Sequence, residues 1–93
     1  MEVRDYPYEK SVMLNAAYDV LERLALPISE ADSRAGVVRF GGGAMEMTAT
    51  VCDGGAVTRV GIESSAQELG FVLHDELHAT LQQNFEQKRR TAV

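Results

Sequence analysis

The chain has 93 residues, 45% of them hydrophobic and 25% charged, which is the length and balance of one globular domain around a single core. Fourteen acidic residues against nine basic ones give a formal charge of -5, which opposes general binding to a phosphate backbone. The one cysteine, Cys52, excludes an internal disulfide and a multi-cysteine zinc site.

No apolar run approaches membrane-spanning length, and "MEVRDYPYEK" carries acidic residues where a secretory signal needs an apolar core, so we expect a cytoplasmic protein with neither a membrane nor a nucleic-acid partner. A lone cysteine fits a reducing compartment. No repeat, linker or low-complexity stretch divides residues 1–93, which read as a single domain. A chain this short buries a modest share of its surface, so a homo-oligomer or a protein partner is expected to complete the burial.

In chain order, "MEVRD" can add an edge strand. From about Glu9 to Ala25 the apolar residues Met13, Ala17, Val20, Leu21 and Leu24 recur at steps of three and four, predicting an amphipathic helix that Pro7 precedes and Pro27 ends. "ISEAD" and "VVRF" read as short strands around the turn-like "SRAG". "AMEMTATVC" alternates strictly, with Met45, Met47, Ala49 and Val51 on one face and Glu46, Thr48, Thr50 and Cys52 on the other. "DGG" at 53 to 55 signals a hairpin into "AVTRVGIE". A loop at Gly54-Gly55 sets Val51 opposite Thr58, Ala49 opposite Val60 and Met47 opposite Ile62. "SSAQE" holds two overlapping capping boxes, Ser64 with Gln67 and Ser65 with Glu68, ahead of a helix whose stripe is Leu69, Leu73, Leu77, Leu81 and Phe85. Gly70 weakens its first turn, which moves the expected start toward Phe71.

The expected fold class is therefore α+β: a two-layer sandwich of helix, antiparallel meander of three to four strands, and helix, with both helices on one sheet face. The run from "YPYEKSVMLNAAYDVLERL" through "GVVRF" and "VTRVGIESS" to the last helix resembles small bacterial helix-grip-like domains of unknown function, some carried by lipoproteins. The resemblance implies no catalytic residues. This chain departs from the lipoprotein forms in having no signal sequence or lipidation cysteine at its start, so an envelope role is not expected.

The chemistry-bearing motif is "HDELH". His74 and His78 are one helical turn apart and could hold a metal, zinc being the natural choice. Measured from Leu73 they lie about 100° and 140° around the helix, flanking the apolar stripe. A zincin needs Glu directly after the first histidine, where this chain has Asp75, so a metalloprotease is disfavoured. A simpler two-histidine site, a pH-sensitive contact between subunits, and two ordinary surface histidines stay open. "FGGGAMEM" lacks the following helix and Lys-Ser/Thr of a phosphate loop and reads as a connection between strands. Arg59 is expected to pair across strands with Glu46 or Glu63. "KRR" at 88 to 90 complements the negative end of the last helix.

Three functional readings follow. The leading one is a noncatalytic interaction domain, homodimerising or protein-binding, whose outer face carries Val37, Thr48, Thr50, Cys52 and Val57, with no cofactor. The second is a metal-assisted hydrolase using His74 and His78. The third is a small apolar ligand-binding protein with a pocket lined by Met13, Met45 and Met47.

Overall fold

A computed structural model describes residues 1–64 and 66–91. The order is β1 (Glu2–Tyr6), α1 (Lys10–Arg23), β2 (Ile28–Asp32), β3 (Val37–Phe40), β4 (Met45–Cys52), a 3-10 turn (Asp53–Gly55), β5 (Val57–Glu63) and α2 (Gln67–Thr91). The strands form one antiparallel sheet in the order β1-β5-β4-β3-β2. The class is α+β, with helices packed on the sheet, but five strands replace the expected three to four. β2 to β5 form the meander, and β1 joins it beside β5, the last strand, instead of beside β2.

Alternation along the strands decides the faces. Tyr6, Val38, Phe40, Met47, Ala49, Val60 and Ile62 are buried under both helices, which contribute Met13, Ala17, Val20, Leu21, Leu73, Leu77 and Leu81 to the same core. The β4–β5 register sets Met47, Ala49 and Val51 opposite Ile62, Val60 and Thr58, as the hairpin reading requires. The loop is longer than two residues, because Cys52 pairs with Val57 and the 3-10 turn fills the gap. Val51 corrects the expected core face: it is 50% exposed. It lies at the far end of β4 beside Glu9, Lys10 and the glycines of the 3-10 turn, where α1 is only beginning.

α1 stops at Arg23, short of the expected Ala25, because its carboxyl end closes in a Schellman turn. The Leu26 amide donates to the Leu21 carbonyl at 2.9 Å and the Ala25 amide to that of Glu22 at 3.1 Å. This turn needs a left-handed residue, and Ala25 supplies it at φ 56° in a place usually given to glycine. α2 starts at Gln67, earlier than Phe71. Gly70 is tolerated there because a side chain would meet the Glu2 Cγ at 3.1 Å, where α2 crosses β1. The Ser64 hydroxyl accepts from the Ala66 amide at 3.1 Å. Ser65 and the side chains of Gln67, Phe85 and Lys88 to Arg90, which the capping boxes, the stripe and the basic run require, lie outside the described residues.

The turn from β2 to β3 is built around Asp32, whose Oδ1 accepts from the Arg34 amide at 3.1 Å and the Ala35 amide at 3.0 Å. Gly36 ends it at φ 73°, pressed so close to β4 that a Cβ would stand 2.4 Å from the Ala49 carbonyl oxygen. Gly43, at φ 83°, has nothing within 4 Å of its Cβ position.

Urea denaturation is expected to rank these positions. Gly36→Ala should cost at least about 2 kcal/mol, since backbone strain and a backbone clash add, whereas Gly43→Ala should cost about 1 kcal/mol from the left-handed conformation alone. Ala25→Gly should raise stability by roughly 0.5 kcal/mol, the relief of strain exceeding the added freedom of the unfolded chain.

Candidate functional site

The first of the two histidines is not at the surface. His74 is 0% exposed, held between α2 and β1, while His78, one turn later, is exposed. β1 creates this pocket: Glu2, Arg4 and Tyr6 share its inward parity, and Tyr6 is buried opposite Thr58 of β5. The Tyr6 Oη lies 2.7 Å from His74 Nδ1, and His74 Nε2 lies 3.0 Å from the Glu2 carbonyl oxygen. A carbonyl can only accept, so Nε2 carries the proton, and Nδ1 accepts from the tyrosine hydroxyl. The same hydroxyl also stands 3.3 Å from the His74 carbonyl. The two rings lie near-parallel, their planes 17° apart and centroids 5.9 Å apart.

Burial and these bonds set the charge states. Removal from water pushes the His74 pKa below its ordinary value, with Arg4 adding to the effect, while the Glu2 carbonyl acts against it. Burial pushes the Tyr6 phenol up to about 12. Arg4 and Asp75 close the outside of the pair with a 3.0 Å ion bridge. The unit is a neutral imidazole with both nitrogens bonded and a phenol that keeps its proton. That arrangement ties β1 to α2 and offers no free base or nucleophile.

For a metal, Nδ1 is reached only by displacing the Tyr6 hydroxyl and Nε2 only by displacing the Glu2 carbonyl. The neighbouring carboxylates are engaged too: Asp75 holds Arg4, and Glu76 holds Arg23 at 2.6 Å. Among the described residues no group of three or more His, Cys, Asp or Glu side chains is placed to hold a metal ion. Met13 and Met47 are buried members of the core cluster, and Met45, partly buried, packs against that cluster. Three surface clefts are lined by other residues, one by Leu14, Tyr18 and Ser33, one by the start of α1 and the 3-10 turn, and one by Leu26 and Pro27.

The other candidate surface is the sheet face opposite the helices. The register aligns Val3, Gly61, Thr48 and Val37 in a row that is uncharged across four strands and ends at Asp32 on edge strand β2. Val3 is 49% exposed, whereas Val37 and Thr48 are half-buried. Thr50, Cys52 and Val57 lie on this face as the alternation requires, and Cys52 is a free thiol. Arg59 does not pair with Glu46 or Glu63. Its Nε and Nη2 hold Asp5 of β1 at 2.8 and 3.2 Å, and Glu46 is taken by Arg39 at 3.0 Å.

Tyr6 and Glu2 are the residues that sequence reasoning missed; the only signal was the shared parity of Glu2, Arg4 and Tyr6 in a strand read as optional. Among the described residues no helix is long and apolar enough to cross a membrane. Comparison with family models, curated proteins and solved structures finds no match to this chain.

Stability should therefore be flat between about pH 7 and pH 10 and fall on both sides. As pH drops through the ordinary histidine value of 6.5, the unfolded chain takes the proton before the folded one, so the His74 contribution is full above that value and lost below it. As pH rises, the unfolded chain loses the tyrosine proton near 10 while Tyr6 keeps it to about 12, so stability falls across that interval. Tyr6→Phe should remove the alkaline limb and cost about 1–3 kcal/mol at neutral pH by leaving Nδ1 without a donor. Urea titrations across pH check both.

Proposed function

We propose that this chain is a noncatalytic interaction domain that forms a homodimer through the uncovered face of its sheet. The observation that carries the reading is the asymmetry of the sheet: one face is buried under two helices, and the other presents a row, Val3, Gly61, Thr48 and Val37, that is uncharged across four strands and reaches a carboxylate, Asp32, only at edge strand β2. An antiparallel sheet tolerates water on one face, but a row without charge through its centre, flanked by charged rows, has the layout of a contact surface with a polar rim. The resemblance to helix-grip-like domains belongs to the same reading. A final helix laid along one face of an antiparallel sheet supports it, as does the absence of catalytic residues in those relatives. The buried tyrosine–histidine unit supports the noncatalytic part, because every polar atom in it is already bonded.

Sedimentation velocity over a wide concentration range is expected to show a rise from the 10.2 kDa monomer toward twice that mass. Thr48→Lys, which puts a charge in the middle of the row, should weaken association about ten-fold or more, equivalent to ~1.4 kcal/mol, without lowering the thermal midpoint. Thiol labelling of Cys52 should slow as concentration rises. A strict monomer at high concentration removes the homodimer and leaves a heterologous partner as the remaining form of the reading.

A further inference from the structure

The charges beside the uncharged row are placed unequally. One step toward the 3-10 turn lie Asp5, Arg59 and Thr50, aligned across β1, β5 and β4. One step the other way lie Glu63, Glu46 and Arg39, aligned across β5, β4 and β3. In this second row Glu46 and Glu63 stand directly opposite each other, a like-charge pair that costs stability on a sheet surface. Arg39 relieves Glu46, with Glu30 on its other side at 3.7 Å. Glu63 makes no ion pair with another described residue. A carboxylate in this position is suited to a cation brought from outside.

Arg59 and Glu63 lie on one strand, each two residues from Gly61, and Gly61 is in the uncharged row. A half-turn about an axis along that row exchanges the rows on either side of it, so in a stacked pair Arg59 of each copy falls on Glu63 of the other. We propose that a second copy of this chain stacks its outer face on this one about that axis, with the two Arg59–Glu63 pairs fixing the orientation. The proposal deepens the homodimer reading and rests on it.

The geometry accommodates this over β1, β5, β4 and β3; at the β2 end of the row Asp32 faces its own copy, with its Oδ1 engaged by the Arg34 and Ala35 amides. Arg59 uses Nε and Nη2 on Asp5, which leaves Nη1 for the incoming carboxylate. Gly61 at the pivot has no side chain and is buried beneath its neighbours: a Cβ there would stand 2.8 Å from the flexible Met1 thioether and 3.7 Å from the Val3 Cγ2, so the Met1 side chain swings aside as the faces meet. Five strands about 4.8 Å apart and four to eight residues long offer roughly 500 Å² per copy, below the ~800 Å² of a standard interface. Apolar burial is therefore small, association is weak, and charge pairing decides which orientation wins.

The test is sedimentation equilibrium at low salt on the wild type, Glu63→Arg, Arg59→Glu and an equimolar mixture of the two variants. Each variant alone faces like charge across the axis, and its association should fall ten-fold or more. In the mixture both contacts are again of opposite sign, so a heterodimer should form with affinity within about three-fold of wild type, the expected recovery for a compensated charge pair. Glu63→Arg also removes the like-charge pair with Glu46, so its thermal midpoint should hold or rise while dimerisation falls, which separates loss of contact from loss of fold. Wild type that stays monomeric overturns the homodimer reading itself. A dimer indifferent to both variants, or variants that weaken alone and do not recover when mixed, overturns this orientation and leaves the homodimer standing. Arg59→Glu gives up the Asp5 pair, and if it fails to fold, Glu63→Arg alone decides: an undiminished dimer overturns the orientation.

Discussion

Helix α1 carries the chain from one edge of the sheet to the other, so that the consecutive strands β1 and β2 end on opposite sides of the same layer. The crossing gives β5 a second neighbour and provides a floor beneath α2. Without β1, the inner side of α2 at His74 would face water. With it, Tyr6 and the Glu2 carbonyl complete a polar pocket, and Gly70 allows the helix to approach closely. The link between the two ends of the chain is therefore a small hydrogen-bonded unit set in an apolar layer, with the Arg4–Asp75 bridge outside it.

That unit is suited to specificity of packing. Leucines at 73, 77 and 81 would bury equally well under many small rotations of α2. The imidazole accepts one arrangement, because its two nitrogens have different partners and opposite roles. Its complete satisfaction also explains why a histidine can be buried at all: in the neutral tautomer no polar atom is left bare, and among the described residues no buried side-chain nitrogen or oxygen lacks a partner.

The two faces of the sheet divide the labour. Helices and apolar side chains fill the inner face, and the outer face orders its charges by cross-strand pairing, Asp5 with Arg59 and Arg39 with Glu46 and Glu30. The Arg59 guanidinium, chiefly through its hydrogen bond, holds the Asp5 carboxyl below its ordinary range. Edge strand β2 is exposed at every residue, but a register irregularity between Ile28 and Glu30 and its two carboxylates make it a poor template for another strand.

How much of this was legible follows from the range of each interaction. Alternation in "AMEMTATVC" and "VTRVGIE" is a local, period-two record of which side is apolar, and the tight turn between them holds the register, so Met47, Ala49, Val60 and Ile62 could be placed on the core face from the sequence alone. The same holds for α1 at Met13, Ala17, Val20 and Leu21, although Leu24, expected on that stripe, lies past the end of the helix and is exposed, and for Cys52 on the outer face. Only the tertiary structure decided what covers each apolar side. Val51 has the core parity but lies past the helices, and His74 is off the leucine stripe yet buried, because a strand 68 positions earlier returns to meet it. Arg59 likewise chose Asp5, a residue 54 positions away, over nearer carboxylates. Periodicity reports a residue's side of its own element; coverage depends on which distant element the chain brings alongside, and no local pattern encodes that.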